Sequence, residues 1–152
     1  MNEVITSTRA KVDLLEYEWG RLPQIALPLV HKFTPGLYVR QITMPKGSLV
    51  ISKIHKTTHP FVISKGSCSV MDEAGNIVRL KAPHLGITAP GTRRILYMHE
   101  ETVWTTFHPG DWPEGTAPET IVAEVTEAHD VSYIGELDAA QIKQLIEAKE
   151  AA

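Results

Sequence analysis

The chain has 152 residues, 43% of them apolar and 22% charged, enough for one soluble domain with a continuous core. A net charge of -3 and a pI near 6.1 offer no overall attraction for nucleic acid or anionic lipid, and a single cysteine, Cys68, excludes an intramolecular disulfide. No apolar run approaches a membrane span and the opening MNEVITSTRAKV lacks a signal-peptide core, so the expected location is cytoplasmic.

Residues 1–24 are expected to form a helical segment. STRAKVDLLEYEWGRLP starts with two capping residues, spaces Val12, Leu15 and Trp19 along one face, and stops at Gly20 and Pro23. Residues 25–134 change to short β-branched runs: GLYVRQITM, SLVISKIH, FVISKG, SCSVM, NIVRLKA, RILYM, TVWTTFH and TIVAEVT. Turn residues divide them, which predicts a mainly β protein built as a sandwich or barrel. Cys68, inside SCSVM, reads as a buried structural thiol. Ala74-Gly75-Asn76 signals a tight turn, with Gly75 at the position that needs positive φ. The loop HPGDWPEGTAPET, stiffened by three prolines, carries Trp112 either over a barrel mouth or onto the outside of the sandwich. Residues 135–152 begin with a capping box, Asp138 and Gln141, and predict a C-terminal helix with Ile142, Leu145 and Ile146 on one face.

Chemistry concentrates in KIHKTTHPFVISKG, residues 53–66. Pro60 and the β-branched neighbours oppose a helix here, so His55 and His59 lie across a strand-turn-strand. Alternation places Leu49, Ile51, Lys53 and His55 on one face, and His59, Phe61 and Ile63 on one face of the next strand. Each set is apolar with a polar end, the pattern of a barrel interior with its polar groups at the mouth.

The stretch resembles the first cupin motif, G-x5-H-x-H-x3/4-E-x6-G, in which the histidines and the glutamate bind a divalent metal. Counted back from Gly66, His55 matches the second histidine, while Lys53 stands at the first and His59 at the glutamate. APGTRRILYM resembles the second motif, with Arg94 where a fourth ligand belongs and Met98 at the closing asparagine. The resemblance covers roughly residues 36–110 and implies a cupin-type jelly-roll β-sandwich with a short N-terminal and a C-terminal α-helix. More loosely, the chain is similar to small cupin-like proteins of bacteriophages and bacteria.

Four readings of the site follow. Lys53 and Arg94 beside His55 and His59 make a cationic mouth suited to an anionic small molecule, with Arg94 as a bidentate partner. Arg93, of opposite parity, is expected to face outward. Alternatively, His55 and His59 hold zinc, iron or nickel in a dioxygenase or isomerase, the third ligand coming from His108, or from His31 or His99. A guanidinium close to such an ion opposes it by several kcal/mol. A blander reading has Lys53 reaching solvent and Arg94 paired with Glu100 or Glu101; in another the barrel is only a scaffold for assembly, and homo-oligomers are expected. Trp104 and Tyr97 read as core or interface residues, His84 and His129 as surface residues in turns. No serine or cysteine sits in a nucleophile-elbow context.

Overall fold

The structure, a computed structural model, describes residues 8–21, 24, 25, 27–72 and 74–127. One helix, α1 (Thr8–Gly20), precedes nine strands: β1 (Leu29–Thr34), β2 (Leu37–Met44), β3 (Leu49–Ile51), β4 (His59–Lys65), β5 (Ser67–Asp72), β6 (Ile77–Lys81), β7 (His84–Thr88), β8 (Arg94–Met98) and β9 (Thr102–Pro109). A second helix, α2 (Pro118–Val125), follows them. The strands pair antiparallel in two sheets, β1-β2-β9-β4-β7 and β3-β8-β5-β6. Their inner faces meet as a jelly-roll sandwich. Among the described residues no helix is long and apolar enough to cross a membrane.

Alternation works as the sequence suggests. Met44, Phe61, Ile63, Cys68, Val70, Leu96, Met98 and Trp104 point inward from both sheets and form the main core. Each such side chain contributes about 1.5–3 kcal/mol on burial. Burial also pushes the Cys68 thiol up to about 11, which keeps it protonated. The other face of the four-stranded sheet presents Met71 and Ile95, and α1 covers them with Val12, Leu14 and Leu15. Arg93 does point away from the barrel interior, but it lies beneath this helix rather than in solvent. It is 2% exposed and pairs with Asp13 at 2.5 Å and Glu16 at 3.1 Å. A guanidinium can lie there because two acids of α1 meet it as a fork.

Gly75 takes φ 87°, and its amide bonds the Asp72 carbonyl at 3.0 Å. Gly66 is required for space: a Cβ there would lie 2.6 Å from Thr102 Oγ1 and closer still to the Glu101 carbonyl oxygen.

Three expectations are corrected. TIVAEVT is not a strand; α2 runs through it, with Pro118 at its start, Glu119 in the first turn, and Ile121 and Val125 buried one turn apart. SLVISKIH is not one regular strand, because β3 ends at Ile51 and Ser52 Oγ accepts the Arg94 N–H in place of a ladder carbonyl. The parity is also the reverse of the one expected: Val50 meets the main core opposite Leu96, Ile51 lies under α1 opposite Ile95, and Lys53 falls on that outer side, exposed, while Ile54 is buried. His84 is not in a turn; it begins β7, half-buried, with its ring 5.8 Å from that of Phe61. The C-terminal helix at 135–152 and His129 lie outside the described residues.

Candidate functional site

A cavity of about 830 Å³ opens between the sheets above the apolar core, inside the range of small-molecule pockets. Strand register builds its wall in rows. Across the five-stranded sheet, one row reads Thr88, His59, His108, Tyr38 and Phe33; the row beneath reads Gly86, Phe61, Thr106, Arg40 and His31. His59 faces His108 because the β4/β9 register, continued two pairs beyond Phe61↔Thr106, sets them opposite, and their ring centroids are 4.4 Å apart.

His55 reaches the same place by another route. It sits in the turn before β4, held by its N–H on the Thr92 carbonyl at 3.0 Å and by an isolated antiparallel bridge to Thr126, just after α2. Its ring centroid is 4.8 Å from that of His59. Three histidines therefore converge: His55, His59 and His108.

Hydrogen bonds fix part of their chemistry. His59 Nδ1 lies 3.1 Å from the Thr57 carbonyl, which can only accept, so Nδ1 carries the proton and Nε2 offers a lone pair. His108 Nε2 meets Thr106 Oγ1 at 2.9 Å. Three ring nitrogens, His55 Nδ1, His59 Nε2 and His108 Nδ1, are buried without a hydrogen-bond partner. Burial, followed by the neighbouring His59, pushes His55 down to about 4; burial, then His59 and His55, pushes His108 down to about 3. His59 is lowered too, chiefly by burial, with Arg94 adding to it against its bond to Thr57. All three are neutral near pH 7.

Arg94 crosses the sandwich from β8. Its Nη1 donates to Thr88 Oγ1 at 2.9 Å, and its guanidinium lies over Phe61, 5.1 Å from the ring centroid, and 6.0 Å from that of Trp104. Those two rings are stacked with centroids 4.4 Å apart. Among the described residues no carboxylate forms an ion pair with Arg94. Asp72, its cross-strand neighbour, favours its charged form, but that carboxylate bonds Ala74 and Asn76 in its own turn. Glu101 pairs with Lys65 and Glu100 accepts from Ser67, so neither takes the role proposed for a surface partner.

Among the other candidates, Lys53 is exposed at the cavity rim. Trp112 does not line the cavity; it packs beside Tyr38, Ile121 and Val125 and donates Nε1–H to Glu124 at 2.8 Å, bracing α2. His31 is taken by Tyr38, its Nδ1 lying 2.5 Å from the hydroxyl, and His99 by Ser69 at 2.6 Å. Trp104 is a core residue and Tyr97 is half-buried against His99. Sequence reasoning missed Arg40, Thr88 and Tyr38. Arg40 and Tyr38 alternate with Ile42 and Met44 in YVRQITM, and that shared parity was the available signal.

Three unpartnered imidazole nitrogens are the right donors for a divalent metal, but their surroundings are not. Arg94 acts on His55 and His59, and Arg40 on His55 and His108, so a cation would enter a positive potential. Among the described residues no group of three or more His, Cys, Asp or Glu side chains is arranged to hold one. The residues do not fit a resident divalent ion.

No family model matches the sequence, and no curated protein matches it. Among solved structures, the chain is similar to the cupin domain of Cnp3 from Schizosaccharomyces pombe, with 18% identity over 60% of this chain and 66% of that one and a TM-score of 0.47. It is also similar to a double-stranded β-helix protein from Klebsiella pneumoniae, with 15% identity, 60% and 90% coverage and a TM-score of 0.48. A third likeness is to a salicylate 1,2-dioxygenase from Pseudaminobacter salicylatoxidans, with 13% identity, 63% and 30% coverage and a TM-score of 0.49. The match thus spans just under two thirds of the yeast chain and under a third of the dioxygenase.

Proposed function

We propose that this cupin-fold protein binds a small organic anion in its barrel cavity without a metal. The observation that carries the reading is Arg94: a half-buried guanidinium, braced on Thr88, Phe61 and Trp104, aimed into a cavity and without a carboxylate partner among the described residues. A cation removed from water calls for a counter-ion, and a ligand carboxylate gives it two parallel hydrogen bonds. His55 Nδ1 and His108 Nδ1 can each donate to the ligand in the tautomer that protonates them, His59 Nε2 can accept from a ligand hydroxyl, and Leu96, Trp104 and Ile42 face the ligand's hydrocarbon part.

Native mass spectrometry of freshly purified, chelator-free protein tests this first. The expected result is a retained organic acid and no stoichiometric metal; stoichiometric zinc, iron or nickel overturns the reading. Calorimetric titration of the retained acid into wild type, Arg94→Lys and Arg94→His is the second arm. Both substitutions should weaken binding about tenfold or more, since neither replacement presents a planar fork. Equal affinity in all three removes Arg94 from the site.

A further inference from the structure

The cavity, whose wall also carries Glu16, Glu119 and Glu127, holds a second guanidinium that no carboxylate meets in an ion pair among the described residues. Arg40 projects from β2 in the row beneath His108 and Tyr38; its Nε is buried without a partner, and among the described residues it forms no ion pair. Glu119, on α2, acts on Tyr38 but is not paired with Arg40. Arg94's guanidinium lies over Phe61 of β4, and β9 separates β4 from β2. With strands roughly 4.8 Å apart, the strand beneath the Arg94 guanidinium and the strand that carries Arg40 are about 10 Å apart; Arg94 acts on His59 of β4 and Arg40 on His108 of β9.

We propose that the ligand is a dicarboxylic acid, one carboxylate meeting Arg94 and the other Arg40, its hydrocarbon linker passing along the histidine row. This rests on the small-anion reading above and sharpens it. A monoanion neutralises one guanidinium and leaves the other desolvated and unpaired, which is costly. One compact dianion, such as a phosphate ester, brings both charges to one place, whereas the cations come from opposite sheets and different strands. The histidines, neutral at pH 7, add no positive charge and leave the charge requirement at two.

The test is calorimetric titration, at low salt and pH 7.5, of unbranched diacids from succinate to suberate, of matching monoacids from butyrate to octanoate, and of butyl phosphate. Wild type should bind one diacid at least roughly tenfold tighter than the monoacid of equal length, because a second charge-assisted contact is made. Arg40→Met should erase that advantage by weakening the diacid at least roughly tenfold more than the monoacid, and Arg40→Gln should do the same if Met disturbs the fold by circular dichroism. Equal affinity for monoacids and diacids overturns the dicarboxylate assignment but leaves the small-anion reading standing, as does butyl phosphate binding as tightly as the best diacid. Arg40 variants that weaken both classes equally also overturn it. Binding of none of these probes overturns both readings.

Discussion

Replacing Gly86 with alanine tests the floor on which Arg94 rests. Gly86 lies opposite Phe61 in the β4/β7 pairing, and an added Cβ would lie 2.6 Å from Phe61 Cε1 and closer still to Cζ. Carbon atoms pack at about 3.5–4.0 Å, so the ring would have to retreat by roughly 1 Å. It has little room to do so, being 3% exposed and stacked on Trp104 at an interplanar angle of 10°. Overpacking of this kind costs about 1–3 kcal/mol, and a 2 kcal/mol loss lowers the melting temperature of a domain this size by about 4–8 °C. Arg94 lies over the same ring, so anion affinity should fall in parallel. The assay is urea and thermal unfolding of wild type, Gly86→Ala, Phe61→Leu and the double variant. Leucine removes the clashing ring edge, so the cycle should show a coupling of about 1 kcal/mol or more. A Gly86→Ala loss below about 0.5 kcal/mol, or strictly additive effects, would refute the argument that an open Cβ position holds the stack in place.

Acid should destabilise the protein in a defined window. His55 and His108 titrate near 4 and 3 when folded and near 6.5 when unfolded, so the unfolded chain takes up more protons as pH falls below about 6.5. Stability is full above that value and is lost progressively down to the folded values; urea midpoints for the His55→Gln/His108→Gln double variant should show a flatter slope there, and an unchanged slope sinks the assignment. Arg93→Met should cost about 2 kcal/mol in urea unfolding by removing the bonds to Asp13 and Glu16, yet weaken anion binding less than Arg94→Lys does, because Arg93, although it reaches the cavity wall, is already held by those two acids. A loss of binding without a loss of stability would place Arg93 in the site instead. Cys68 should resist iodoacetamide in the native state and react only as the protein unfolds, followed by intact mass; prompt native labelling would contradict its burial.

The local signals in the sequence were sufficient for much of the framework. Period-two runs bounded by glycine and proline marked most of the strands from β2 to β9, the 3.6-residue spacing of Val12 and Leu15 marked α1, and the spacing of His55, His59 and Gly66 pointed to one mouth of a jelly roll. These features are legible because backbone preference and side-chain alternation act over a few neighbouring residues. Strands β1 and β7 lay outside the runs read as strands, and the β-branched TIVAEVT concealed a helix whose buried pair, Ile121 and Val125, finds its partner in Tyr38.

The composition of the site was decided by distant contacts. Whether His31, His99 or His108 joins the pair depends on which strand lies beside β4, and only the β4/β9 register sets His108 against His59. Lys53 lies on the outer face because the β3/β8 pairing turns Val50, not Ile51, toward Leu96 and the core, and Arg40 entered the site because β2 pairs with β9. Register and sheet order are settled by the burial of whole faces against one another, which sums over residues far apart in the chain. A local pattern tells that a side chain alternates; only the closed sandwich decides which charges end up facing the same space.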